Sequence, residues 1–202
     1  MIERMFWDDN LSIERLAEVL RDDGIAIGSS DTVFGLISSL KCSSKNTLDS
    51  IKRRFDKPYL ILIPRGAKLE NFIDPAGLSK IESLAKKCWP GPVTLICKAH
   101  PDLPACMKGA EGTIALRMPD HEGLQKLLTH FEGLFSTSAN ISGQPVPDTL
   151  EEVDPAILGR CAVLVLDSSA GNEVSKMPST ILDCTGDEIK VVRQGAFRYP
   201  II

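Results

Sequence analysis

Short apolar runs alternate along this chain with stretches whose apolar residues recur at three and four, and that alternation constrains the fold most. Ile25-Ala26-Ile27, Tyr59 to Ile63 (closed by Pro64), Val93 to Cys97, Thr113 to Leu116 and Leu134-Phe135 read as strands. Asp31 to Leu36 reads as a further extended piece after a Ser-Ser turn, and Cys161 to Leu166, Ser179 to Asp183 and Ile189 to Val192 make a strand-like tail. Between them, Ile13, Leu16, Ala17 and Leu20 have helical spacing with Gly24 as a stop. Leu48 to Arg54, Leu78 to Lys87 and His121 to His130 read as helices too. Strands interleaved with helices predict an α/β domain around a mixed sheet, with residues 1–202 as one domain.

The 202 residues, 43% hydrophobic and 25% charged, suffice for a core without disulfides or metals. A net charge of -4 argues against an extended nucleic-acid face and favours an anionic small molecule in a local cationic cleft. The six cysteines are spread without CxxC spacing, the first ten residues lack an apolar targeting core, and no apolar run reaches membrane-spanning length. A reducing cytoplasm and no membrane contact are the expectation.

Walker A, GxGxxG, HExxH and GxSxG patterns are all absent. Cys97, His100 and Cys106 surround a Pro-rich loop, but buried thiols and a loop histidine account for them better than a metal, and none is expected. Polar groups instead gather where apolar runs end. Lys52, Arg53, Arg54 and Lys57 precede the Tyr59 run, Arg117 and Arg193 end two others, and Ser136, Thr137, Ser138 and Asn140 follow Leu134-Phe135. In open α/β sheets ligands collect outside strand ends, so these groups are expected to converge on one crevice that binds phosphate or carboxylate.

Taken singly, these stretches read as turns and solvated helix faces; their order carries more. Asp31-Thr32-Val33-Phe34-Gly35-Leu36, Lys52-x-Arg54, Trp89-Pro90-Gly91-Pro92-Val93-Thr94 and Arg117-Met118-Pro119-Asp120-His121 come first. Ser136-Thr137-Ser138-Ala139-Asn140-Ile141-Ser142-Gly143, Pro178-Ser179-Thr180-Ile181 and Arg193-Gln194-Gly195 follow. This succession resembles the YrdC/Sua5 family over nearly the whole chain. The resemblance implies a YrdC-like twisted mixed β-sheet flanked by helices, with a concave cationic cavity. It implies synthesis of threonylcarbamoyl-AMP and pyrophosphate from L-threonine, bicarbonate or CO2, and ATP, with Mg2+ on the triphosphate. The product would pass to tRNA threonylcarbamoyl-transfer proteins acting at adenosine 37.

Carried over by position, Lys52 and Arg54, with Ser138 and Asn140, match the family's KxR and SxN pairs around the nucleotide. Thr32, Arg117, Ser136 and Ser179 match threonine contacts, with Arg117 on the carboxylate. Thr113, Val146 and Arg193 match further nucleotide contacts, and Lys57 a phosphate contact. The chain departs from the family at Gly28-Ser29-Ser30, where Tyr-Pro-Thr is usual, and at Phe55, usually proline. Lys57-Pro58 also sits one residue early. No side chain presents itself as general base. Two other readings remain: a non-catalytic relative that binds RNA on its concave face, and an enzyme that adenylates carbamate without threonine. The acidic balance and intact pairs weigh against the first, and the absence of partner domains and zinc-finger cysteines against the second. Weak, salt-sensitive tRNA binding is compatible with a local basic patch. The stretches Lys98 to Gly112 and Ala170 to Met177 are candidate covers.

Overall fold

The computed structural model describes residues 2–54, 57–168 and 177–199. Among the described residues, ten strands form one mixed sheet. They are β1 (Glu3–Phe6), β2 (Ala26–Gly28), β3 (Gly35–Ser39), β4 (Leu60–Leu62), β5 (Val93–Lys98), β6 (Thr113–Arg117), β7 (Leu134–Ser138), β8 (Val163–Leu166), β9 (Thr180–Asp183) and β10 (Lys190–Arg193). Their spatial order is β1-β8-β2-β3-β7-β4-β6-β5-β9-β10. Four pairs are parallel (β1 with β8, β8 with β2, β4 with β6, β5 with β9) and the other five antiparallel, the mixed α/β sheet expected.

Five described α-helices flank it: α1 (Asn10–Arg21), α2 (Cys42–Lys52), α3 (Leu78–Cys88), α4 (Glu122–Leu128) and α5 (Pro155–Leu158). In α1, Asp9 caps the start by accepting from the Leu11 and Ser12 amides, while Ile13, Leu16, Ala17 and Leu20 form the buried stripe. These side chains pack with Leu124, Leu127 and Leu128 of α4 over Ala26, Ile37, Leu62, Leu134, Val163 and Val165. Residues one step along the strands (Leu36, Phe135, Ile61, Leu116, Leu95 and Leu182) point to the other face and pack with Leu48 and Ile51 of α2 and Ile81 and Leu84 of α3. The face under α1 and α4 is therefore covered over only part of its width by the described helices. No described helix is long and apolar enough to cross a membrane.

Several elements differ from the sequence expectation. The extended piece begins at Gly35, not Asp31, because the Ser30 hydroxyl accepts from the Thr32 amide and donates to the Val33 carbonyl, making a turn. The second helix starts at Cys42 although Cys-Ser-Ser-Lys-Asn-Thr is weakly helical, and ends where Arg53 turns left-handed at φ 49°. β7 runs on through Ser136 and Thr137 to Ser138, stretches expected as a turn, and β1 was not anticipated at all. Cys42 and Cys106, expected free, form a disulfide that joins the start of α2 to the loop after β5. Cys88, Cys97, Cys161 and Cys184 are buried thiols.

Candidate functional site

Two rows of cross-strand neighbours make the floor of a cavity of about 350 Å³ on the partly covered face. Ile37, Ser136, Leu60, Ala115 and Ile96 are successive partners across β3, β7, β4, β6 and β5. In the second row Leu62 pairs with Arg117, Thr94 with Ile181, and Ile181 with Arg193. The site thus lies on the sheet face, where the sequence pattern had placed it beyond strand ends. Gly35, Ala115, Ser136 and Ser138 are too small to fill the concave surface that a twisted sheet presents. Among the described lining residues are Arg54, Arg117 and Arg193, and no Asp or Glu.

Arg117, the last residue of β6, is 4% exposed. Its Nη1 donates to Thr32 Oγ1 at 3.0 Å and its Nη2 pairs with Asp31 Oδ1 at 2.9 Å. Burial pulls its pKa down, Asp31 opposes this and Arg193 adds to it. Its Nε is buried with no protein acceptor. At the far side Arg193 donates through Nε and Nη2 to the Ser179 carbonyl at 3.1 and 2.8 Å, and through Nη2 to Ser179 Oγ at 3.2 Å. Ser179 Oγ in turn shares a 2.9 Å hydrogen bond with Thr94 Oγ1. Burial lowers the Arg193 pKa as well.

Lys52 and Arg54 leave α2 in opposite directions. Lys52 is only 2% exposed and stands behind the wall rather than in it. Its ammonium donates to the Ser138 carbonyl at 2.6 Å, to Asn140 Oδ1 at 3.0 Å, and to the Asn140 carbonyl. Ser138 Oγ donates to the same Asn140 Oδ1 at 2.6 Å. The KxR and SxN pairs thus meet as one network, in which Lys52 shapes the loop that presents Ser138. Burial, then the nearby Arg54 charge, lowers Lys52 to about 8. Arg54 does line the cavity; its Nη2 donates to the Pro58 carbonyl at 2.5 Å, and its Nε is buried without a protein acceptor.

Of the remaining expected residues, Thr32, Ser136, Ser138, Val146 and Ser179 line the cavity. Asn140, Thr113 and Lys57 do not; Thr113 Oγ1 donates to the Ala110 carbonyl, and Lys57 is exposed. Phe55 lies outside the described residues, as does most of the Ala170 to Met177 stretch.

Residues 18–195 match the model of the Sua5, YciO and YrdC proteins, described as telomere recombination. The chain belongs to the Sua5/YciO/YrdC family. It is 34% identical over 189 residues to the threonylcarbamoyl-AMP synthase of Bacillus subtilis, covering 91% of this chain and 53% of that protein. Against the threonylcarbamoyl-AMP synthase of Vibrio cholerae serotype O1 the identity is 32% over 193 residues, 91% of this chain and 97% of that one. Pyrococcus abyssi Sua5, solved in complex with L-threonine, superposes with a TM-score of 0.82 at 28% identity, over 96% of this chain and 57% of that chain. This chain therefore spans little more than half of the Bacillus and Pyrococcus relatives and nearly all of the Vibrio one.

Within this member of the family, sequence reasoning singled out four structural contributors only as letters inside motifs, or not at all. Asp31 orients Arg117, and Thr94 orients Ser179. Tyr59 lies under Arg54, its ring 5.0 Å from the guanidinium carbon. Asp167 accepts from Ser29 Oγ at 2.9 Å and sits 3.3 Å from His121 Nε2, while Trp7 Nε1 donates to Ser29. Apart from Tyr59 and Arg54, these partners are far apart in sequence, and only the Asp31 and Thr94 motifs carried any signal.

Proposed function

We propose that this chain condenses L-threonine, bicarbonate or CO2, and ATP to threonylcarbamoyl-AMP and pyrophosphate, supplying N6-threonylcarbamoylation of adenosine 37 in tRNA. The observation that carries this reading is a single cavity lined by Arg54, Arg117 and Arg193 with no Asp or Glu among its described lining residues. Guanidinium groups gathered in a lining that holds no carboxylate favour an anionic ligand. Arg117, held beside the Thr32 hydroxyl, suits an amino-acid carboxylate, and Arg54 and Arg193 suit phosphates. The reading treats residues 1–202 as one domain working in the cytoplasm, with weak tRNA contact and hand-over of product to transfer proteins.

Two steps are required. The threonine ammonium and bicarbonate give a carbamate, water and a proton; a carbamate oxygen then attacks the α-phosphorus of ATP as the bond to pyrophosphate breaks. ATP enters as its magnesium complex, with the ion held on phosphate oxygens and water. Arg54 and Arg193 offset charge on the phosphates, Arg117 fixes the amino acid, and Lys52 and Asn140 hold Ser138 in the wall. The test is pyrophosphate release with and without threonine and bicarbonate. Release independent of threonine would replace this reading with carbamate adenylation, and RNA retention without turnover would replace it with a binding role.

A further inference from the structure

We propose that Tyr59 is a positioning residue for this reaction: its ring, pinned by Asp49, sets the plane in which Arg54 meets the nucleotide. The proposal rests on the threonylcarbamoyl-AMP reading for its substrate, and on geometry for everything else. Tyr59 is buried and lines the cavity. Its hydroxyl donates to Asp49 Oδ1 at 2.8 Å, and Lys45 holds the other Asp49 oxygen at 2.7 Å. Phe135 meets the ring edge-on, with centroids 6.3 Å apart and planes at 62°. The ring is therefore fixed on two sides, and the Arg54 guanidinium lies over it.

Arg54 needs such a platform. The residue before it has a left-handed backbone, and among the described residues its guanidinium has one acceptor, the Pro58 carbonyl. A single hydrogen bond leaves a guanidinium free to rotate; a ring face adds attraction and restricts the plane. Burial and the Asp49 contact raise the Tyr59 pKa, so the phenol stays protonated and keeps donating. Asp49 lies in the last turn of α2 and its carbonyl accepts from the Arg54 amide at 3.0 Å, so the anchor and the anchored group are tied to the same helix end.

A double-mutant cycle tests the idea. Tyr59→Leu removes the ring and is expected to lower kcat for pyrophosphate release on the order of tenfold, with KM for threonine unchanged. In an Arg54→Ala background the same change is expected to cost nothing further, because nothing is left to position. Asp49→Asn, which weakens the anchor and keeps the volume, is expected to act in the same direction and to lose its effect in the same background. It carries the test should Tyr59→Leu fail to fold. A loss of equal size with and without Arg54 would overturn the proposal, as would full activity in Tyr59→Leu. ATP binding by calorimetry, run over the same cycle, separates the two readings. Coupling there, without threonine-dependent turnover in the wild type, would sink the function and keep the platform; no coupling in either binding or turnover would sink the platform.

Discussion

Replacing Lys52 by methionine tests the buried anchor through the pH dependence of stability. At neutral pH two effects oppose one another. The variant leaves the Ser138 and Asn140 acceptors without their donor, at about 1–3 kcal/mol each, but removes a charge whose burial is unfavourable. The slope with pH is cleaner than the sum. Burial lowers Lys52 from 10.5 to about 8, so between those values the unfolded chain binds more protons than the folded one. Stability contributed by this group therefore rises with pH across that window. From about pH 7 to about pH 9, one site shifted in this way gains on the order of 1 kcal/mol. The buried thiols slope the other way, since burial pushes Cys88 and Cys161 up to about 12 and Cys184 up to about 11. They are common to both proteins and cancel in the difference. Urea denaturation of wild type and Lys52→Met at both pH values should show the wild type gaining on the order of 1 kcal/mol on the variant. A difference that stays flat or falls would refute a charged Lys52 buried against that loop.

Arg54→Ala is expected to lower pyrophosphate release on the order of 100-fold at saturating ATP with an unchanged melting temperature; a normal rate would remove Arg54 from the chemistry. Threonine should strongly outcompete valine, because a polar group built to pair with the substrate hydroxyl would be left without it; equal rates would sink the amino-acid pocket. Gly195→Ala should destabilise the protein and lower activity, since a Cβ there would lie 2.1 Å from the Pro178 carbonyl and 2.7 Å from that of Ser179, which holds Arg193. Thermal melting and turnover together check this, and a fully active, equally stable variant contradicts it. Reduction of the Cys42–Cys106 bridge, which spans 64 residues, should cost about 4 kcal/mol of stability on chain entropy alone. Denaturation with and without reductant measures that loss, and mass analysis of the unreduced protein checks the bridge itself.

Much of the fold was legible because it rests on local periodicity. The uninterrupted apolar run of Tyr59 to Ile63 and the stripe of α1 specify a two-sided strand and a one-sided helix whatever surrounds them. Where local chemistry and long-range pairing compete, the sequence misleads. Asp31 to Phe34 looks extended, yet Ser30 and Asp31 bond within the turn and to Arg117. β1 is a short edge strand, mostly exposed, and exists because β8 offers it a partner some 160 residues away in the pairing of Glu3 with Val163.

For the site, the sequence by itself determined which residue types are present and in what order: the arginines, the small hydroxyls and the KxR and SxN spacings. Only the tertiary structure decided which of them face the ligand. Lys52 and Arg54 are two residues apart, and the left-handed Arg53 between them sends one into the core and the other into the cavity. Asp31, Thr94 and Tyr59 gained their partners through contacts made across strands and helices. A hydrogen bond depends on distance and direction in space, and neither is encoded by spacing along a chain until the sheet has brought its strands together.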